Sequence, residues 1–157
     1  MARYLVHVRT PMPPAEAFAY MADLRHFAEW DPGVQRVQQV RGDGPGADAS
    51  FDVAVSVPGR SITLRYDIVD YDAPTTVTAF AENRLLSSRD VITVAPDGAG
   101  TGSMVTYDAV LKLKGVLALA DPLLKLSFDR IGDRAAKGLV TALSGERVPD
   151  AADRVAK

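Results

Sequence analysis

The chain has no cysteine and only two histidines. Without thiols it has no disulfide framework, no thiolate nucleophile and no cysteine-ligated metal. His7 and His26 show neither HExxH nor His-x-His spacing, so a zinc centre lacks ligands and no metal or cofactor is expected. Charge of one sign is also missing: 18 Lys and Arg stand against 20 Asp and Glu, for a formal charge of −2. A nucleic-acid binder would normally carry a basic stripe, so that partner class is excluded. Long hydrophobic runs are missing too. GVLALADPLL is broken by Asp121 and Pro122 and is too short to cross a bilayer. The apolar run in MARYLVHVRT is too short for a signal peptide and alternates like a strand. These absences point to a cytoplasmic protein. No solenoid-length repeat occurs. The glycines of GDGPG and DGAGTG do not lead from a strand into a helix, so they read as hairpin turns and not as phosphate cradles.

What is present suits one domain with a real core: 157 residues, 47% of them hydrophobic. Residues 2–10 alternate, with Tyr4, Val6 and Val8 on one face and Arg3, His7 and Arg9 on the other, which predicts a half-buried strand. Pro13 and Pro14 then open a short helix whose inward residues are Ala17, Phe18, Met21 and Ala22. Asp23 is placed to cap a second short helix, LRHFAEW, which Pro32 and Gly33 stop. The chain then turns β. Val34, Val37 and Val40 mark one strand, and SFDVAVSV and SITLRYDI alternate clearly. TVTAFAE, SRDVITVA and SMVTYDAVLKLKG follow, joined by short turns that favour an antiparallel meander.

From Leu117 to Leu143 the period changes. Leu124, Phe128, Ile131, Ala135, Gly138, Leu139 and Ala142 recur at three- and four-residue steps, predicting one long amphipathic helix. Asp121 is placed to cap its start, Pro122 fits a first helical position, and Gly145 suits a close with positive φ. The apolar face is bulky in its first half and small in its second (Ala135, Gly138, Ala142). A small face either admits a neighbouring element or leaves room. The reading favoured here is that it leaves room. The expected fold is α+β: a curved antiparallel sheet of about seven strands wrapped around this helix, with two short helices after the first strand. A single domain is expected over 1–145, with 146–157 as a flexible tail.

VHVRTPMPPAEAFAYMADL, FAEWDPGVQRV, GAGTGSMVTYDAVLKLKG and the terminal amphipathic helix occur in an order and spacing that resemble the START-like, helix-grip superfamily (SRPBCC) over about residues 3–144. That superfamily includes the major birch pollen allergen and polyketide cyclases. The resemblance implies the fold; the fold hosts carriers, cyclases and receptors alike, so function has to come from the site.

The favoured reading is a non-enzymatic binder or carrier of a small hydrophobic molecule, lipid or polyketide-like, held between sheet and helix. Its expected lining is Phe51, Val53, Leu64, Tyr66, Tyr107, Phe128, Ala135, Gly138 and Trp30, a mostly apolar set with a few polar groups. A bulky residue at Ala135 or Gly138 is expected to block uptake and leave the fold intact. Trp30 also reads as packing the helix pair onto the sheet, with Asp31 and Pro32 as the helix stop. Tyr66 and Tyr107 fall on the apolar phases of their strands, so their hydroxyls need partners, protein or ligand. Tyr71, Arg84 and Arg89 are further polar groups that strands could aim at a ligand, whereas Arg65 points outward. His7 and His26 read as surface residues. A polyketide cyclase or dehydratase is the alternative, ranked lower because no acid–base pair is visible. A protein-interaction module with a filled core and an exposed apolar patch is the third. Contact of GVLALADPLLKL with a membrane is possible but not favoured, since the stretch is poor in basic residues. Both monomer and homodimer fit the sequence.

Overall fold

The computed structural model describes residues 1–98 and 100–150. In chain order it contains β1 (Ala2–Thr10), α1 (Pro14–Ala22), a 3₁₀ turn (Leu24–His26) and α2 (Phe27–Trp30). Six strands follow: β2 (Val34–Arg41), β3 (Ser50–Val57), β4 (Arg60–Asp72), β5 (Thr76–Glu82), β6 (Leu86–Pro96) and β7 (Ser103–Leu113). A 3₁₀ segment (Gly115–Ala120), α3 (Asp121–Ala142) and β8 (Glu146–Val148) complete it. The strands form one sheet in the order β2-β3-β4-β5-β6-β7-β1-β8, with every neighbour antiparallel. This is the helix-grip architecture. The short turns of the meander fix neighbours β2 to β7, and β1 closes against β7.

Alternation decides the faces. Tyr4, Val6 and Val8 are buried, as are Leu64, Tyr66 and Ile68, then Ile92 and Val94, then Val105 and Tyr107. The alternate residues of these strands are half-buried or exposed, and Arg65 pairs with Asp52 in solvent. The buried residues of α1 are Ala17, Phe18, Met21 and Ala22. Asp23 accepts from the Arg25 backbone N–H, capping the 3₁₀ turn.

Several expectations change at the C-terminal end. Helix α3 begins at Asp121, but Asp121 does not cap it: its carboxylate is held by the terminal amine of Met1. The bulky half of its face is only partly buried. Leu124 and Phe128 are half-buried and Ile131 is 47% exposed, while the buried residues are Gly132, Ala135, Ala136 and Leu139. Among the strands α3 packs chiefly on β1, with α2 on its other side. Tyr4 on β1 donates to Asp133 at 3.0 Å, and the Thr10 hydroxyl donates to the Leu143 carbonyl at 2.6 Å. The helix is closed by Ser144 at φ 50°, not by Gly145. Gly145 is needed for another reason: a Cβ there would lie 2.2 Å from the Arg9 carbonyl. The expected tail begins as an eighth strand. Glu146–Val148 pairs with β1, where Glu146 accepts from Arg9 and Arg147 donates to Asp133. Residues 151–157 lie outside the described residues.

Candidate functional site

The small half of α3 does two different things. At Gly138 it admits a neighbour: a Cβ built there would sit 1.8 Å from the Trp30 carbonyl oxygen, so the end of α2 occupies the place a side chain would take. Gly132 likewise gives its place to the Tyr4 ring. The expectation that Gly138 faces open space, and tolerates a large residue, is therefore corrected. Backbone packs there, and backbone cannot rotate away. Ala135 differs. It keeps 6% of its surface, as do Leu64 and Ser88, with Tyr66 at 7%, Tyr107 at 8% and Leu86 at 9%. Around them Phe51, Val53, Val8, Ile92 and Val105 are at 0–1%. All of these residues are buried; the first set keeps slightly more surface than the second.

The strand register places these inner-face residues in rows across the sheet. Tyr66 stands opposite Ala81, Ala81 opposite Ser88, and Ser88 opposite Leu111. One row along, Ala79, Asp90, Ala109 and Tyr4 stand side by side. Asp90 sits on the inner face between Ala79 and Ala109 and is buried, 3% exposed. Tyr107, opposite Ile92 on the next row, reaches it.

Asp90 is the centre of a buried polar chain. The Tyr107 hydroxyl donates to its Oδ2 at 2.8 Å and the Ser88 hydroxyl to its Oδ1 at 3.0 Å. The Tyr66 phenol lies close enough to Ser88 and Asp90 to feel both. Burial pushes the Asp90 carboxyl up to about 6, against the two hydroxyl donors that favour its charged form. Asp31 and Asp108 push the same way, and no basic group acts on it. Burial raises the Tyr66 and Tyr107 phenols as well, with the Asp90 charge the next cause for each. Asp31, at the end of α2, is also raised by burial, although the Gly33 N–H holds it at 2.8 Å. Trp30 packs edge-on to Tyr107 with centroids 5.4 Å apart, and Phe27 stands 6.2 Å from the same ring. The Trp30 indole N–H is buried without a hydrogen-bond partner.

Of the residues expected to line a pocket, Leu64, Tyr66, Tyr107 and Ala135 are buried with 6–8% of their surface left, Phe51 and Val53 stand opposite Tyr66 and Leu64 at 0–1%, and Trp30 is packed in, 2% exposed. Phe128 is half-buried and faces a surface hollow of about 250 Å³ with Met1, Arg3 and Lys125. Arg84 and Arg89 point to solvent, and Tyr71 packs edge-on to Phe18. His7 and His26 are half-buried; His26 stacks on Tyr20 and bonds its carbonyl, and His7 bonds Thr106. Sequence reasoning missed Asp90 and Ser88. A signal existed: Ser88, Asp90, Ile92 and Val94 share one phase of β6, so two polar residues interrupt an apolar face.

An apolar lip lies at the end of the sheet where β6 begins and β7 ends. It consists of Leu85, Val116, Leu119, Leu123 and Leu126, all exposed. No helix among the described residues is long and apolar enough to cross a membrane, and those residues hold no metal-binding group of acids and histidines.

Residues 1–144 match the family model described as polyketide cyclase / dehydrase and lipid transport. No curated protein matches the sequence. Solved structures share the fold at low identity. A START superfamily protein from Mycobacterium smegmatis has a TM-score of 0.73 at 12% identity, over 92% of this chain and 98% of that one. A protein from Thermus thermophilus, TTHA0849, has a TM-score of 0.69 at 17% identity, over 88% and 92%. StfQ, a di-domain ARO/CYC protein of the steffimycin biosynthetic pathway, has a TM-score of 0.58 at 16% identity, over 85% of this chain and 49% of that one.

Proposed function

The chain belongs to the polyketide cyclase / dehydrase and lipid transport family, and from that premise we propose that it binds one small, mostly apolar molecule in the space above Tyr66, Ser88, Asp90 and Tyr107. The observation that carries this reading is the residual accessibility of those inner-face residues, with Ala135 on the helix side. Apolar walls with a few placed polar groups are the usual make-up of such sites. The apolar lip supplies an entrance over which a hydrophobic molecule would pass without a polar barrier. Native mass spectrometry of protein purified from its own host tests this directly: a co-purifying molecule is expected, and it should be lost from Ala135→Leu while circular dichroism stays native. A folded Ala135→Leu protein that still carries the molecule places the site elsewhere.

One observation favours catalysis as a second reading. Asp90 beside Tyr107 is the acid–base pair that the sequence did not reveal. A carboxyl held near 6 is matched to proton transfer at neutral pH, and the Tyr107 phenol, released from Asp90 once the carboxyl takes up a proton, would be placed to stabilise an enolate oxygen. The reaction class is proton abstraction next to a carbonyl, as cyclisation or dehydration of a polyketide requires. Deuterium exchange at the α-carbon of a β-keto thioester, lost in Asp90→Asn, is the expected result. Exchange at the same rate in both proteins removes this reading.

A further inference from the structure

The Asp90 carboxyl has two hydroxyl donors and no counter-charge. The groups that face it are Tyr66 from β4, Ser88 on its own strand, Tyr107 from β7 and Asp31 from the end of α2, with Asp108 of β7 acting as a further acid. No Lys, Arg or His among the described residues contributes to its surroundings. Buried carboxylates are normally paired, because two neutral donors do not replace the hydration an anion has lost. The walls around it are aromatic: Tyr107, Tyr66 and, against Tyr107, Trp30. Aromatic faces attract cations and offer little to anions. The flanking residues, Ala79 and Ala109, bring no polar group to the carboxyl, which is 3% exposed.

We propose that the molecule held in this hollow carries a cationic nitrogen, a protonated amine or quaternary ammonium on an apolar body, which pairs with the Asp90 carboxylate against the faces of Tyr66 and Tyr107. This rests on the reading of the hollow as a binding site. It makes the missing counter-ion part of the ligand. It also selects against fatty acids and other anionic amphiphiles, which would meet Asp90 and Asp31 with no basic residue to receive them. Binding is coupled to protons: an ammonium group favours ionised Asp90, so affinity falls as the pH drops and the carboxyl takes up a proton.

The test uses three probes with one apolar chain, octylammonium, octan-1-ol and octanoate, titrated into the full chain by calorimetry at about pH 8 and about pH 5. Octylammonium is expected to bind at least tenfold more tightly than octan-1-ol at the higher pH, with octanoate weakest. The preference should shrink at the lower pH and disappear in Asp90→Asn. Asp31 is also raised by burial, so Asp31→Asn serves as the control: a preference that vanishes there and survives in Asp90→Asn overturns the assignment. Octan-1-ol binding with no preference for octylammonium, or with octanoate preferred, refutes the cationic ligand and leaves the hollow standing. Failure of all three to bind refutes the hollow and the cationic ligand together. Should Asp90→Asn fail to fold, the pH dependence of the unaltered protein still decides, because a preference equal at both pH values refutes the pairing.

Discussion

Replacing Asp90 by asparagine should make the protein more stable above neutral pH, although it removes a buried residue with two hydrogen bonds. In the folded chain burial holds the carboxyl up at about 6, from an ordinary value of 3.8. A raised carboxyl binds its proton more tightly in the folded than in the unfolded chain. Its contribution to stability is therefore complete below the ordinary value and is lost as the pH rises through about 6. Roughly two pH units at 1.36 kcal/mol each put the cost of ionisation at about 3 kcal/mol above that range. Asp90 is 3% exposed, so solvent screening gives little relief. Asparagine has nearly the same shape. Its carbonyl can accept from Tyr107 and its amide can donate to Ser88, so the network survives with weaker, neutral bonds. The net gain at about pH 8 is then about 1–3 kcal/mol. Urea unfolding followed by the fluorescence of the single tryptophan should show a higher midpoint for Asp90→Asn at that pH with an unchanged slope. The two curves should converge toward about pH 4, where Asp90 is neutral. A variant less stable at the higher pH, or a difference independent of pH, would refute the picture of an uncompensated buried charge.

Tyr107→Phe removes a donor to the ionised form of Asp90, so the carboxyl should titrate above about 6, as read by carboxyl carbon-13 shifts; a lower midpoint would mean that Tyr107 is not its main partner. Gly138→Ala should lower the thermal midpoint, with a loss of about 1–3 kcal/mol or more, because its methyl group would fall 1.8 Å from the Trp30 carbonyl; an unchanged midpoint would show that α2 and α3 can separate freely. Gly145→Ala should be costly as well, through the Arg9 carbonyl at 2.2 Å; calorimetry showing no loss would rule out that close approach.

Much of the fold is legible in local pattern. The two-residue alternation of β1, β3, β4 and β7 assigns Tyr4, Phe51, Tyr66 and Tyr107 to the inner face without reference to any other part of the chain. The same rule applied to β6 assigns Asp90 to that face, though it does not say what a carboxyl does there. Helix α3 is harder to read, because periodicity marks an apolar stripe and not what lies against it. Ile131 satisfies the pattern and stays in solvent, while Gly132 and Gly138 give their space to Tyr4 and Trp30.

The sequence by itself determined the order of elements, the inward phase of each strand and the absence of thiol chemistry, since these follow from neighbours two to four residues apart or from composition. Only the tertiary structure decided which small residues of α3 give their place to a neighbouring element. It alone also set Asp90 between Ala79 and Ala109 with Tyr107 as its donor. Those outcomes depend on strand register and on how closely two backbones approach, and residues far apart along the chain settle both.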